Sequence, residues 1–271
     1  MNPGLVNVAI SGAAGRMGRS LIEACGKAPN LQLVAALEAP GNALLGTDAG
    51  RLVGSGECAV VLSDDLAAAV NQADVLIDFS RPEASLQHLE ACHSAGIRAV
   101  VGTTGFSTAD RQRIAALARD TAMVVAPNMS IGVNVCFKLL ELAATALADE
   151  VDIEIIEAHH RHKVDAPSGT AVRMGEILAT ALGRNLNDCA VYGREGHTGA
   201  RERKTIGFET IRGGDIVGEH TVMFAGLGER LEITHRASSR ENFAQGALRA
   251  ARWVMGRDSG LYDMHDVLNL H

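Results

Sequence analysis

The residues best suited to chemistry lie in one stretch, Glu157-Ala-His-His-Arg-His-Lys-Val-Asp-Ala-Pro-Ser-Gly-Thr-Ala171. Three histidines, an arginine and a lysine fill the five positions from His159 to Lys163. Packing has no use for so many basic side chains in a row, so a solvated turn, a metal tract and a substrate site compete. A metal is disfavoured, because no Cys or carboxylate stands at ligand spacing nearby and Arg161 would repel a cation. In an unbroken strand His159, Arg161 and Lys163 would share one face, with His159 and Lys163 about 13 Å apart. For both to serve one small substrate the chain must turn here. Ser168 or Thr170 then offers an N-cap oxygen for a helix after Pro167, and the N–H groups at such a helix start bind carboxylate or phosphate. Histidines exchange protons near neutral pH. The stretch therefore predicts a pocket for an anionic substrate with acid chemistry at hand.

A second chemical signal lies near the N-terminus. Residues 5–11 read as a buried strand, followed by Gly12-Ala13-Ala14-Gly15-Arg16-Met17-Gly18, a helical run to residue 24 with Gly26 as its C-cap, and a strand over 31–37 ending at Glu38. Strand, glycine turn, helix and strand with a terminal acid is the order a dinucleotide site requires. Gly12 permits the tight turn, Gly15 lets the backbone approach a pyrophosphate, and Gly18 lets the helix pack closely. Glu38 can accept hydrogen bonds from an adenosine ribose. The spacing is G-x-x-G-x-x-G rather than G-x-G-x-x-G, and the flanking strands and the acid about 20 residues on lift it above a structural βα turn.

The elements that must position these groups follow in order. Strands are expected over 58–62, 75–79, 98–101 and 123–126, with helices over 64–70, to residue 95, and over 108–120. Repeated βα units imply a doubly wound parallel sheet, whose ligands bind at the carboxyl ends of strands. Phe79-Ser80, Gly102-Thr103-Thr104 and Ala126-Pro127-Asn128-Met129 lie at such ends. Beyond residue 128 the pattern changes: a long amphipathic helix over 133–147, then strands over 151–157, 205–212, 216–224 and 230–235 joined by glycine turns. Residues 188–204 read as a long polar loop, 241–255 as a helix, and the remaining tail as packing back on the first domain. The fold class is α/β: an N-terminal Rossmann-like doubly wound parallel sheet with a second α+β domain built on a mixed sheet. The dinucleotide-binding domain is expected to span residues 1–129 plus 240–271, and the second domain residues 130–239.

Bulk composition narrows the function classes. With 271 residues, 47% hydrophobic and 21% charged, the chain can bury two cores. A net charge of −7 argues against a nucleic-acid partner. Cys25, Cys58, Cys92, Cys136 and Cys189 are scattered with no Cys-x-x-Cys, which reads as reduced thiols in a cytoplasmic protein. The first residues lack a charged leader, and no apolar run is expected to reach membrane-spanning length.

With both signals in view, the chain resembles the 4-hydroxy-tetrahydrodipicolinate reductase (dihydrodipicolinate reductase) family over nearly its whole length. The resemblance rests on Gly12 to Gly18, Asp78-Phe-Ser-Arg-Pro82, Gly102-Thr-Thr-Gly-Phe106, the Glu157 to Ala171 block and Gly218-Glu-His-Thr221. It implies transfer of the pro-R hydride of a nicotinamide to C4 of a cyclic conjugated imine dicarboxylate. Water is lost from the 4-hydroxy form, and tetrahydrodipicolinate is made for lysine and diaminopimelate biosynthesis. It further implies a homotetramer assembled through the sheets of the second domain. By the same resemblance His159 is the general acid/base and Lys163 a proton donor. His160, Lys163, Ser168, Gly169 and Thr170 hold the substrate, Gly12 to Met17 cradle the pyrophosphate, and Gly102 to Thr104 with Ala126 to Met129 contact the nicotinamide half. A lysine crowded by cations gives up its proton more readily. Some relatives carry Arg after the ribose-binding acid, where it meets a 2′-phosphate; here that position is Ala39, so NADH is expected to be favoured, with NADPH possible as an alternative. Met129 stands where an aromatic is common. Two other readings are another nicotinamide-dependent imine or amino-acid dehydrogenase, and a non-catalytic NAD(H) sensor, which would have no use for the His/Lys stretch.

Overall fold

The computed structural model describes residues 4–271, and the chain divides into two compact units, one of Met1–Ile131 with Arg240–His271 and one of Gly132–Ser239. In the first unit the strands are β1 (Val6–Ser11), β2 (Leu31–Leu37), β3 (Leu62–Ser63), β4 (Val75–Asp78), β5 (Arg98–Val101), β6 (Ala122–Val125) and β12 (Gly260–Tyr262). They form one sheet in the order β12-β6-β5-β4-β1-β2-β3, and every pairing is parallel. Short runs of apolar residues suffice because such strands are buried on both faces. One face places Val8, Ile10, Ile77 and Val124 against α1 (Arg16–Gly26) and α9 (Glu241–Val254). The other places Ala9, Leu76, Val101 and Met123 with residues of α3 (Leu66–Gln72), α4 (Pro82–Ala95) and α5 (Thr108–Leu117). In α9, Ala244, Ala247, Leu248 and Ala251 recur at helical spacing and are buried. Gly246 faces the loop after β6 so closely that a Cβ there would sit 1.8 Å from the Met129 carbonyl oxygen.

Helix ends follow local chemistry. Ser107 and Asp110 form a reciprocal capping box at the start of α5, and Gly96, at φ +69°, closes α4. The expected C-cap Gly26 instead lies inside α1, whose cap is Lys27. The strand expected over 58–62 shrinks to Leu62–Ser63. The Cys58 N–H donates to the Asp48 carboxylate, Ala59 takes a left-handed φ of 61°, and Ala49 N–H bonds the Val60 carbonyl. The backbone groups a strand would use are thus committed to the loop around a short helix, α2 (Ala49–Leu52).

In the second unit, α6 (Ile131–Leu147) leads to β7 (Asp152–His159), α7 (Gly169–Ala181), α8 (Leu186–Cys189), β8 (Ala190–Tyr192), β9 (Ile206–Arg212), β10 (Gly218–Ala225) and β11 (Arg230–Ala237). The sheet order is β11-β10-β7-β9-β8, with β10 antiparallel to both neighbours and β7, β9 and β8 mutually parallel. Residues 188–204, expected as loop, therefore contain an edge strand. The tail likewise contributes β12, which extends the first sheet, and α10 (Met264–Leu268). Ile153, Ile155, Phe208, Val222 and Phe224 form one core with Phe137 and Leu140 of α6 and Met174 and Leu178 of α7. By length and hydropathy Ile131–Glu150 could cross a membrane, yet Val133, Phe137, Leu140 and Ala144 are buried in this core.

Candidate active site

The glycine turn sits where β1 meets both β2 and β4, at the switch in strand order. Gly12 takes a left-handed φ of 71°, and a Cβ there would lie 3.3 Å from the Phe79 carbonyl oxygen. A Cβ on Gly18 would fall 2.1 Å from the Gly12 carbonyl oxygen, so α1 rests directly on the turn. The Ala13 N–H bonds the Leu37 carbonyl, and the Ala14 and Ala39 N–H groups each donate at 2.9 Å to the Glu38 carboxylate. Glu38 is thereby fixed beside the turn. A cavity of about 760 Å³ opens there, lined among others by Gly12, Ala14, Gly15, Glu38, Phe79 and His88. These close backbone approaches and the held acid fit a dinucleotide's pyrophosphate and ribose.

Not every residue expected at the coenzyme reaches that cavity. Ala13 is fully buried, while Arg16 is exposed and does not line it. Neither does Met17, which packs against the core. Gly102–Thr104 and Ala126–Met129 lie farther along the same carboxyl edge, after β5 and β6. Thr103 turns inward: its hydroxyl accepts from Ser80 N–H at 3.1 Å and from Ser85 Oγ at 2.8 Å. Gly102 leaves room for the Phe79 ring, which a Cβ would meet at 2.2 Å. Thr104 and Pro127 are exposed, and Asn128 Oδ1 accepts from Ser130 N–H. The Met129 side chain is 1% exposed within the core, so its identity bears on packing rather than on contact with a ring.

In the second unit the chain does turn after His159. Gly213 N–H bonds the His159 carbonyl, Arg161 N–H the Gly214 carbonyl, and Lys163 N–H the His160 carbonyl. The five basic residues part company as a result. His159 is buried at the end of β7, Arg161 and His162 face solvent, and His160 and Lys163 are half-buried. The Lys163 ammonium lies 2.9 Å from Asp165 Oδ1. The crowding by cations expected for it is therefore offset by an adjacent carboxylate. Ser168, not Thr170, is the N-cap of α7, its hydroxyl accepting from Ala171 N–H. Gly169 is exposed, and a Cβ there would meet nothing within 4 Å.

What the sequence reading missed is the support beneath His159. Alternate residues of β7 share a face, so Glu157 and His159 point the same way, and His220 of β10 stands directly opposite Glu157. His159 Nδ1 lies 2.6 Å from Glu157 Oε2. Arg212 of β9 donates to both oxygens of Glu157 at 2.8 Å, and Ser168 N–H donates to Oε1 at 3.0 Å. Burial alone would raise the Glu157 carboxyl, but the hydrogen bonds from Arg212, His159 and Ser168 outweigh it and hold it below the usual range. Burial lowers His159 despite its hydrogen bond to Glu157, which acts to raise it. His220 Nε2 lies 2.8 Å from Ser168 Oγ, its ring meets that of His159 edge-on at 5.1 Å, and burial, aided by His159, pushes it down to about 3. Arg212 lies 55 positions from Glu157 in sequence, and His220 lies 52 from Ser168. For Glu157 the signal was its alternation with His159 on a strand, for His220 its place in Gly218-Glu-His-Thr221, and for Arg212 there was none.

A parallel sheet with a glycine turn at its switch point and a held acid beside it, joined in one chain to a buried histidine and a lysine on the turn that follows it, defines a nicotinamide-dependent oxidoreductase. Residues 6–129 match the family model "Dihydrodipicolinate reductase, N-terminus" and residues 132–268 match "Dihydrodipicolinate reductase, C-terminus". The chain belongs to the dihydrodipicolinate reductase family. It is 59% identical over 266 residues to 4-hydroxy-tetrahydrodipicolinate reductase of Methylococcus capsulatus, covering 98% of this chain and 99% of that one. To the protein of the same name from Alkalilimnicola ehrlichii it is 61% identical over 263 residues, covering 97% and 98%. Among solved structures, a dipicolinate-bound dihydrodipicolinate reductase from Paenisporosarcina sp. TG-14 superposes with a TM-score of 0.78 at 26% identity. It covers 96% of this chain and 97% of that one.

Proposed function

We propose that the protein uses NADH, in preference to NADPH, to reduce 4-hydroxy-tetrahydrodipicolinate, by way of its cyclic conjugated imine, to tetrahydrodipicolinate and water. This is a step of lysine and diaminopimelate biosynthesis. The observation that carries the reading is the buried Glu157–His159 pair at 2.6 Å, set at the end of β7 with Lys163 on the turn that follows. Gly12 to Met17 cradle the pyrophosphate through the close approach their glycines allow, and Glu38 takes the adenosine ribose. Gly102, Thr103, Thr104, Ala126, Pro127, Asn128 and Met129 form the nicotinamide edge, chiefly through backbone where their side chains turn inward. When bound, the reduced nicotinamide supplies the hydride that adds to C4 of the imine. His160 and the helix start at Ser168, Gly169 and Thr170 orient the substrate carboxylates, with N–H groups and the helix dipole favouring negative charge. Lys163 donates a proton as electron density builds at the far end of the π system, and His159 acts as general acid/base.

The coenzyme preference rests on Glu38, held by Ala14 and Ala39. A carboxylate there repels a 2′-phosphate, and the neighbouring Ala39 and Pro40 bring no cation. Following NADH absorbance with freshly made cyclic imine tests the function, and the ratio of kcat/KM for the two coenzymes tests the preference. NADH is expected to be favoured by at least about 10-fold, the order a single charged contact supplies. Equal or better kcat/KM with NADPH overturns the preference, and no turnover with either coenzyme overturns the function.

The assembly is a homotetramer formed through the five-stranded sheets. In support, the helices α6 and α7 pack on the Ile153 and Ile155 face, while Ile211, on the opposite face, is 50% exposed. Light scattering that reports a monomer would refute the tetramer. The protein works in the cytoplasm on a small dicarboxylate, with no nucleic-acid or membrane partner.

A further inference from the structure

Glu157 lies in the middle of the hydrogen bonds beneath His159 and has no part in the reaction steps given above. Its carboxylate is 1% exposed as a side chain and receives donors on every side. His159 Nδ1 and Arg212 Nη1 meet Oε2, and Arg212 Nη2, Ser168 N–H and, at 3.4 Å, the Thr210 hydroxyl meet Oε1. Each of these except the imidazole can only donate or is already set to do so, because a guanidinium and a backbone N–H have no acceptor. An anionic carboxylate is the one group of this shape that satisfies them all. Its partner nitrogen on His159 must then carry the proton, which leaves Nε2 as the nitrogen with a lone pair. Room is kept on that side by Gly218, where a Cβ would approach Nε2 to 3.1 Å.

We propose that Glu157 is a positioning residue. It fixes the tautomer of His159 with the proton on Nδ1, and through Ser168 N–H it ties the start of α7 to the same anchor. The proton-transfer nitrogen and the carboxylate-binding helix start are thus set in register by one side chain, with Arg212 as its counter-ion. This inference rests on the proposed reaction for its kinetic consequences, but the tautomer itself is a property of the protein without substrate.

Glu157→Gln tests it. The amide nitrogen cannot accept, so one of its two positions must face Arg212 or Ser168 as donor against donor. Placed next to His159 it favours the other tautomer, which moves the proton to Nε2. The charged and titratable groups facing His159 are Glu157 on its own strand, Lys163 on the turn, Arg212 on β9 and His220 on β10. Of these only Glu157 raises it. In Glu157→Gln, kcat is expected to fall by about 10²-fold, the lower end of what a positioned acid/base group contributes. The acid limb of the pH profile moves to lower pH, and the NADH dissociation constant stays within about 2-fold. Glu157→Asp, which keeps the charge, is expected to restore part of kcat and the position of the limb. In 15N-histidine-labelled wild-type protein, the ring nitrogens of His159 are expected to show the Nδ1–H form. A wild-type His159 protonated on Nε2 overturns the proposal whether or not the variant folds. So does a Glu157→Gln enzyme with unchanged kcat and acid limb. A wild-type protein inactive on the cyclic imine but holding the Nδ1–H form would sink the proposed reaction and leave the positioning role standing.

Discussion

Lys163→Ala is expected to lower kcat by about 10²–10⁴-fold, the span a positioned proton donor contributes, while leaving NADH affinity unchanged. The turn after β7 holds Lys163 through its N–H to the His160 carbonyl, and the ammonium is steadied at 2.9 Å by the Asp165 carboxylate. Its side chain is 22% exposed, accessible to a ligand without being free in solvent. Removing it takes away both a cation for the substrate carboxylates and the proton that meets the growing charge on the π system. The loss should therefore appear in kcat as well as KM. Lys163→Arg restores the charge but not the proton, since a guanidinium is never deprotonated in this range; KM should recover and kcat should not. Steady-state rates with cyclic imine, beside an NADH titration by fluorescence, separate these terms. Near-normal turnover by Lys163→Ala would remove the residue from the mechanism.

Gly18→Val carries the largest expected effect on the coenzyme platform. A Cβ at residue 18 would meet three backbone atoms of the glycine turn, the Gly12 oxygen at 2.1 Å and the Ala13 Cα and carbonyl carbon at 2.6 and 2.8 Å. Backbone cannot swing aside as a side-chain tip can, so helix α1 must lift off the turn. Overpacking typically costs about 1–3 kcal/mol, and a β-branched residue against backbone lies at or beyond the top of that range. At about 2–4 °C per kcal/mol for a chain of this size, the first unit should melt about 6 °C lower or more. NADH affinity should fall by at least about 10-fold. Gly26, in the same helix, is the control: a Cβ there meets nothing within 4 Å, and Gly26→Ala should be neutral or stabilising by up to about 1 kcal/mol. A Gly18→Val protein with wild-type melting and NADH binding would show that the turn does not depend on this contact.

Much of this was legible from residue order alone. Parallel strands buried on both faces announce themselves as short apolar runs, and β5 was read to its observed limits, Arg98–Val101. Ser168 was one of two cap candidates, and the need for a turn after His159 followed from strand spacing. The misses share a cause. Strands of two or three residues such as β3, β8 and β12 have no period to detect, and their existence is decided by a neighbouring edge. Asp48, which captures the Cys58 N–H across ten positions, overrides the local strand pattern there. The tie of Arg212 to Glu157, and the placement of His220 opposite Glu157, became visible only when β9 and β10 were laid beside β7. Cross-strand register is set by the whole sheet, not by the residues on either side.

The first sheet opens with residues 6–11 and is completed by residues 260–262, while α9 and α10 fill its core from the far side of a 108-residue insertion. During synthesis the inserted unit has all of its own strands available before the framing unit does. The framing unit must wait, with Val8, Ile10 and Val124 lacking their eventual cover, until α9 has left the ribosome. Chaperone dependence should therefore fall on the framing unit. Clipping the chain after residue 239 would leave six of the seven strands of the nucleotide fold without β12, α9 and α10.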